Sequence, residues 1–467
     1  MPHPYLSRRG VENNNELSIP WRFAPAHSDR YDRETNPNGI LSFSTAENCY
    51  IKKELEAFVK EKVQITASSF DYSCNNGGPK FPGLMASYIN TYFSPYVPIT
   101  SDNLITGSSV SAIQSMLAFS IADKGDGILV SRPTYGRFEI DYYTSARVKI
   151  IYADMDGVDS FSPSVVERFE LAFNRAQIYG VSIKGLLIAN PSNPLGHCYP
   201  RETLKALMAF CQRHKIHLLS DEIYALSVFS VPNSTSPLFT SALSINTENL
   251  IDPNLVHVLY GLSKDFGLAG FKLGCLITCN KSLQSCCKTL LRFHGSSGPS
   301  LQIACAILEQ PDFVRDLLAL SRERIREGHK ITTRVLDAAG IPYYRGGNAG
   351  FFLYMNLSRY LKNWDQKEEG IEDPEFALAK HIKDHGVFLH PREEHSEVPG
   401  WFRLVFTSMP YDDLKIGLDR LVNALNIVDP HNSNVMLHSE VKSNSEICNG
   451  VSTLSLSSSQ HFEETAA

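Results

Sequence analysis

The stretch Leu259–Gly274, LYGLSKDFGLAGFKLG, sets a lysine between Ser263 and Asp265, just after an apolar run. A desolvated, neutral lysine amine is a nucleophile that forms a Schiff base with an aldehyde. With 44 Lys and Arg in the chain, a solvated surface position is the default for any one lysine, so its companions must decide. Asp221 and Tyr224 directly follow the apolar run IHLLS, and Asn193 lies in NPSNPLG, directly after KGLLIA. TGSS (106–109) precedes the helical pattern SVSAIQSMLAF. Taken singly these signals are weak, because an aspartate at a strand end is commonly a cap and NPxNP commonly a turn. As a set they are specific. A buried carboxylate keeps a pyridine nitrogen protonated, amide and hydroxyl donors hold a ring phenolate, and a helix start holds a phosphate. Together with a lysine, these are the groups that pyridoxal 5′-phosphate requires.

Such residues act together only if the elements carrying them converge. DGILV (126–130), VKIIY (148–152), KGLLIA (184–189), IHLLS (216–220), VHVLY (256–260) and LGCLIT (273–278) read as buried strands. Helical patterns lie between them, such as Leu204, Leu207, Met208 and Cys211 at i, i+3, i+4, i+7. Ser108 is positioned to cap the helix that follows TGSS. This alternation predicts an α/β fold with a mostly parallel sheet covered on both faces, whose ligands gather beyond the carboxyl ends of the strands. Residues 65–311 form the expected large domain. A smaller α/β domain is expected from 312–427 together with the N-terminal segment 1–64. It contains a long helix near 312–337, strands at GFFLYMNL (350–357) and FRLVF (402–406), and a closing helix marked by Leu414, Leu418, Leu421, Val422 and Leu425. The serine-rich stretch 428–467 has no periodicity and reads as a disordered tail.

At these residues the chain resembles the fold-type I class I/II aminotransferases, and within them the 1-aminocyclopropane-1-carboxylate (ACC) synthase-like branch, including its fungal members. The resemblance spans about residues 30 to 425. It rests on NPNGILSFSTAEN (36–48), NPSNPLG, SDEIYA (220–225), LSKDFGLAGF (262–271), NAG (348–350) and GWFR (400–403), in that order. It implies that Lys264 carries the cofactor and takes the substrate's Cα proton, with Asp221 on the pyridine nitrogen. Asn193 and Tyr224 would hold the phenolate, and Tyr135 would stack on the ring. Ser108, Ser109, Val110, Ser263 and Lys272 would surround the phosphate, joined by Tyr72 from the partner of a homodimer. Arg403 would clamp the substrate's α-carboxylate and Glu47 would sit near the substrate. Two departures touch the phosphate: Gly261 stands where the family has a serine, and Lys272 where it has an arginine. Lysine keeps the charge but lacks the two-donor fork, so weaker cofactor binding is expected.

The bulk properties narrow the alternatives. A net charge of −6 offers no basic field for nucleic acid. No run approaches the length of a membrane span, and the N-terminal residues show no apolar signal core. Ten cysteines without framework spacing suggest a reducing, cytoplasmic setting. His390, Glu393, Glu394 and His395 invite a metal reading, but PREE reads better as an exposed charged loop, and no metal is expected. Three functions remain: an aminotransferase or ACC synthase-like enzyme on an amino-acid substrate, a carbon–sulfur lyase acting on a larger peptide-derived substrate in secondary metabolism, and a non-catalytic cofactor-binding regulator. The acidic charge and the few residues before the matched region weigh against the third.

Overall fold

The computed structural model of the chain describes residues 5–17, 25, 27–71, 75–232, 234–361 and 373–428. Tyr72 and the expected tail beyond Val428 lie outside the described residues. The strands are β1 (Leu41–Ser42), β2 (Leu104–Gly107), β3 (Gly127–Ser131), β4 (Lys149–Ala153), β5 (Ile183–Ala189), β6 (His217–Asp221), β7 (Val256–Gly261), β8 (Gly274–Ile277), β9 (Phe352–Asn356), β10 (Val387–Phe388) and β11 (Trp401–Val405). Seven of them form one sheet in the order β2-β8-β7-β6-β5-β3-β4. All pairings from β7 to β4 are parallel, and β8 runs antiparallel between β7 and β2. All six runs expected as large-domain strands lie in this sheet. The short edge strand β2, ending in glycine, carried no such pattern.

Continuous apolar runs are what a sheet buried on both faces demands, because successive side chains point to opposite sides. Leu129, Leu186, Ile188, Leu218, Val258, Tyr260 and Cys275 pack into one core. Their immediate neighbours Ile128, Leu187, Leu219, Leu259 and Leu276 pack into another on the opposite face. The second core is roofed by the helices Val110–Ile121, Phe138–Ala146 and Lys281–His294, through residues such as Ile113, Tyr142 and Leu291. The first is covered by the helices Phe81–Tyr92, Val165–Ile178, Arg201–His214 and Gly298–Leu308.

A third core lies around the antiparallel pair β9–β11 and the short parallel pair β1–β10. The helix Pro311–Ala338 joins the units: Val314, Leu317 and Leu318 sit in the first core, Ile325 and Leu336 in the third. Its 28 residues, roughly 40 Å at the α-helical rise, give it the length to reach both. Near the N-terminus, Leu41, Phe43, Ala46 and Tyr50 belong to the third core, whereas Ile51, Leu55 and Phe58 belong to the first. The chain therefore passes between the units at Tyr50–Ile51.

One close approach sets the working edge of the sheet. A Cβ on Gly274, at the start of β8, would lie 2.5 Å from the Val110 amide nitrogen, so only glycine lets the helix start press against the strand. Gly261 is similarly confined, its Cβ position 2.6 Å from the Leu273 carbonyl oxygen. Glycine at 261 thus accompanies a close β7–β8 contact. Gly274→Ala is expected to cost about 1–3 kcal/mol of stability through this overlap. The check is a lower urea midpoint at an unchanged m-value.

Candidate functional site

The carboxyl ends of β5, β6 and β7 open into a cavity of about 350 Å³, walled also by the Val110–Ile121 helix start and the 390–394 loop. The turn after β5 is built by Asn190, whose Nδ2 donates to the Thr240 carbonyl (2.9 Å) and whose Oδ1 accepts from the Tyr199 amide (3.1 Å). That turn delivers Asn193 to the cavity, with its Oδ1 accepting from Arg403 Nη1 at 3.0 Å. The amide nitrogen of Asn193 therefore remains the donor it can offer a ligand.

Asp221 closes β6. Its Oδ2 accepts from Gln114 Nε2 at 3.0 Å and its Oδ1 from the Ile223 amide at 3.2 Å. Burial pushes its carboxyl up to about 7, against the opposing pull of that amide and the Lys264 charge. The adjacent Glu222 is structural: it turns away and accepts from Ser220 Oγ, Ser241 Oγ and the Ala242 amide at 2.9, 2.6 and 2.8 Å. Tyr224 is buried, its ring edge-on to Phe351 and Phe352 at 5.2 and 5.3 Å.

Lys264 follows β7 and reaches into the cavity, where its Nζ donates to the Ala46 carbonyl at 2.6 Å. Burial, aided by the Arg403 charge, lowers it to about 8, so a usable fraction is the neutral nucleophile near neutral pH. Ser263, Lys272, Tyr135, Ser109 and Val110 line the same cavity. Ser109, not Ser108, caps the helix, its Oγ accepting from the Ala112 amide at 3.0 Å. The backbone N–H of Ser108 is spent on the His294 carbonyl at 2.7 Å, and Ser108 does not line the cavity. Ser111 does, in the first turn of the helix. Glu47 is not brought in either: its carboxylate pairs with Lys52 at 2.9 Å on the half-exposed outer side.

The 390–400 loop overturns the expectation of an exposed charged segment. His390 and Glu393 line the cavity, and Glu394 is buried. Two cations, the partly exposed Arg137 and the buried Arg403, draw these carboxylates inward: Arg137 Nε lies 3.1 Å from Glu393 Oε1, and Arg403 Nε lies 3.0 Å from Glu394 Oε1. His390 Nδ1 adds a contact to Glu393 Oε2 at 3.1 Å. The Thr134 amide donates to the Glu394 carbonyl at 2.9 Å, and a Cβ on Gly136 would overlap the Glu393 carbonyl. Further along, Glu397 accepts from the amides of Met155 and Asp156. The loop is thus strapped across the large sheet's helical layer and roofs the cavity. Gln114, Ser111, Asp141 and Arg137 line it without having been singled out for that role in the sequence, whereas His390 and Glu393 belong to a loop expected near the substrate mouth. For Gln114 a signal existed: it is the one amide in a helical run that is otherwise small or apolar.

The residues present fit pyridoxal 5′-phosphate on the chemistry of the donor set. Lys264 and Asp221 face one cavity, and glycine at 274 leaves the start of the helix free to approach a phosphate near Lys272.

Comparison with known proteins agrees with this chemistry. The chain is 30% identical over 437 residues to human 1-aminocyclopropane-1-carboxylate synthase-like protein 1, covering 90% of this chain and 83% of that one. It is 31% identical over 423 residues to 1-aminocyclopropane-1-carboxylate synthase 1 of Cucurbita pepo, covering 88% and 83%. Its fold matches the aspartate aminotransferase of Thermus thermophilus solved with maleate, with a TM-score of 0.66 at 18% identity over 82% of this chain and 91% of that one. The family described as aminotransferase class I and II matches residues 38–421. With its mostly parallel sheet and a lysine and an aspartate facing one cavity, the chain belongs to that family of pyridoxal 5′-phosphate-dependent enzymes.

Proposed function

We propose that this enzyme is an aminotransferase acting on a small amino acid, as a cytoplasmic homodimer whose 65–311 unit holds the cofactor while the 312–427 unit with residues 1–64 completes the substrate side. The observation that carries the choice is the size and lining of the cavity. About 350 Å³ is at the small end of ligand sites, which favours a compact amino acid over S-adenosylmethionine or a peptide-derived substrate.

Bound there, pyridoxal 5′-phosphate supplies an aldehyde for the lysine and a ring that accepts the electron pair left when the substrate carbon loses its proton. Asp221 holds a proton on the ring nitrogen from its Oδ1–Oδ2 edge, and Gln114 and the Ile223 amide fix that edge in place. Asn193 Nδ2 and the Tyr224 hydroxyl serve the ring oxygen. Ser109, Val110, Ser263 and Lys272 hold the phosphate. Arg403 orients the substrate through its carboxylate, and Lys264 Nζ then takes the Cα proton and returns it. The roof formed by His390, Glu393 and Glu394 excludes water from that exchange.

Three outcomes are expected. The rate at which cofactor-free protein bonds pyridoxal 5′-phosphate covalently rises with pH and levels off above about 8, where Lys264 is neutral, and Lys264→Ala forms no such bond. Stopped-flow absorbance in the visible reads both. Lys272→Arg, which restores the two-donor fork, tightens cofactor binding several-fold in equilibrium dialysis. Mass spectrometry of holoenzyme given amino acids and a 2-oxo acid finds exchanged amino groups. Methylthioadenosine released from S-adenosylmethionine in the same assay would refute the aminotransferase reading.

A further inference from the structure

The guanidinium of Arg403 meets protein on every side. Its Nη1 donates to Asn193 Oδ1 and its Nη2 to the Ser44 carbonyl, each at 3.0 Å, while Nε faces Glu394 Oε1 at 3.0 Å. The first two partners are neutral; the third carries a charge. Glu394 is 2% exposed, and neither of its oxygens receives an aligned hydrogen bond. The Arg403 charge is therefore what favours the ionised form of this carboxylate against the pull of a dry setting. A substrate carboxylate docking on Nη1 and Nη2 brings a second negative charge into the same space. Two carboxylates sharing one desolvated cation do not both stay ionised.

We propose that a substrate carboxylate occupies Arg403 only with Glu394 protonated, Glu394 taking up one proton wherever it is still ionised, so that Glu394 sets the pH range in which this enzyme recognises carboxylates. The inference rests on Arg403 being the carboxylate clamp. The proton comes from solvent, forms an O–H bond on Glu394, and returns when the substrate leaves. The charged and titratable groups facing Glu394 are Arg403 on β11, Glu393 on its own loop, Glu375 at the start of the helix Pro374–Asp384, and Tyr354 on β9. Arg403 favours the ionised form, both glutamates favour the neutral one, and burial keeps the Tyr354 phenol protonated. Burial is the largest influence and holds Glu394 up at about 8 before any substrate enters. Below that pH the proton is already present and the Arg403 charge is open. Above it the proton must be drawn from solution, and carboxylate affinity falls about tenfold per pH unit.

The test uses the holoenzyme with aminooxyacetate and O-methylhydroxylamine, which share an aminooxy nitrogen and differ by a carboxylate. Each exchanges for the Lys264 amine at the cofactor's aldehyde carbon, releasing the free lysine, and each is read by the visible spectrum. The ratio of their affinities isolates the carboxylate and cancels the titration of Lys264. That ratio is expected to fall about tenfold from pH 7 to pH 9 in the natural protein and to stay flat in Glu394→Gln. A flat ratio in the natural protein, or a fall that survives in Glu394→Gln, overturns the proposal. If Glu394→Gln does not fold, calorimetry of the natural protein at pH 9 in two buffers of different ionisation enthalpy decides. About one more proton taken up with aminooxyacetate than with O-methylhydroxylamine supports it, and equal uptake overturns it. A holoenzyme with no visible band, or one that ignores O-methylhydroxylamine, would instead refute the cofactor reading of Lys264.

Discussion

The carboxylate of Asp265 is buried beneath the cavity, where its Oδ2 accepts from the Leu226 amide and the Tyr260 hydroxyl, both at 3.0 Å, and its Oδ1 from Ser227 Oγ at 2.5 Å. Each of these donors belongs to a segment that the site needs. Leu226 and Ser227 end the turn that presents Tyr224, Tyr260 lies in β7, and Asp265 itself follows Lys264. The Tyr260 hydroxyl is in turn 2.9 Å from that of Tyr88, which ties the arrangement to the helix Phe81–Tyr92. A buried carboxylate with three donors fixes all of them at once, because leaving any one unpaired would carry a large desolvation penalty. The turns after β6 and β7 are thereby held in one register, and Lys264 meets Tyr224 with its Nζ 5.8 Å from the ring centre.

Desolvation then gives the cavity its chemical character. Burial lowers Lys264 to about 8 and raises Asp221 to about 7 and Glu394 to about 8. Asp141, raised to about 7 by burial and then by the Asp221 charge, belongs to the same set. These groups hold their protons loosely around neutral pH because no water stabilises their charged forms. Such poise suits a site that must pass protons and exchange an amine. It also makes the charge balance between Arg403 and Glu394 sensitive to an arriving carboxylate.

The 390–400 loop shows why composition misleads at a roof. Two histidines and three glutamates within a few residues resemble a solvated segment, and on most surfaces they would be one. Here Arg137 and the buried Arg403 supply cations, and the backbone of Glu393 and Glu394 packs against Thr134 and Gly136. A long-range backbone contact likewise explains the displaced cap. Ser108 looked like the cap because it directly precedes the helical pattern, but its amide is claimed by the His294 carbonyl, and Ser109 caps the helix instead.

The sequence by itself determined the α/β class, the six central strands to within a residue, and the placement of Asn193, Asp221, Tyr224 and Lys264 beyond strand ends. Those features follow from local periodicity and from the rule that parallel strands expose their carboxyl ends to ligands. Only the tertiary structure decided which side chains share the cavity with them. Gln114 on Asp221, Glu394 on Arg403 and Glu47 turned out to Lys52 are pairings made across chain separation or by local rotamer choice. Hydrophobic spacing carries no record of such pairings, because a charged residue's partner depends on what the folded chain brings within a few ångströms and on how much water remains there.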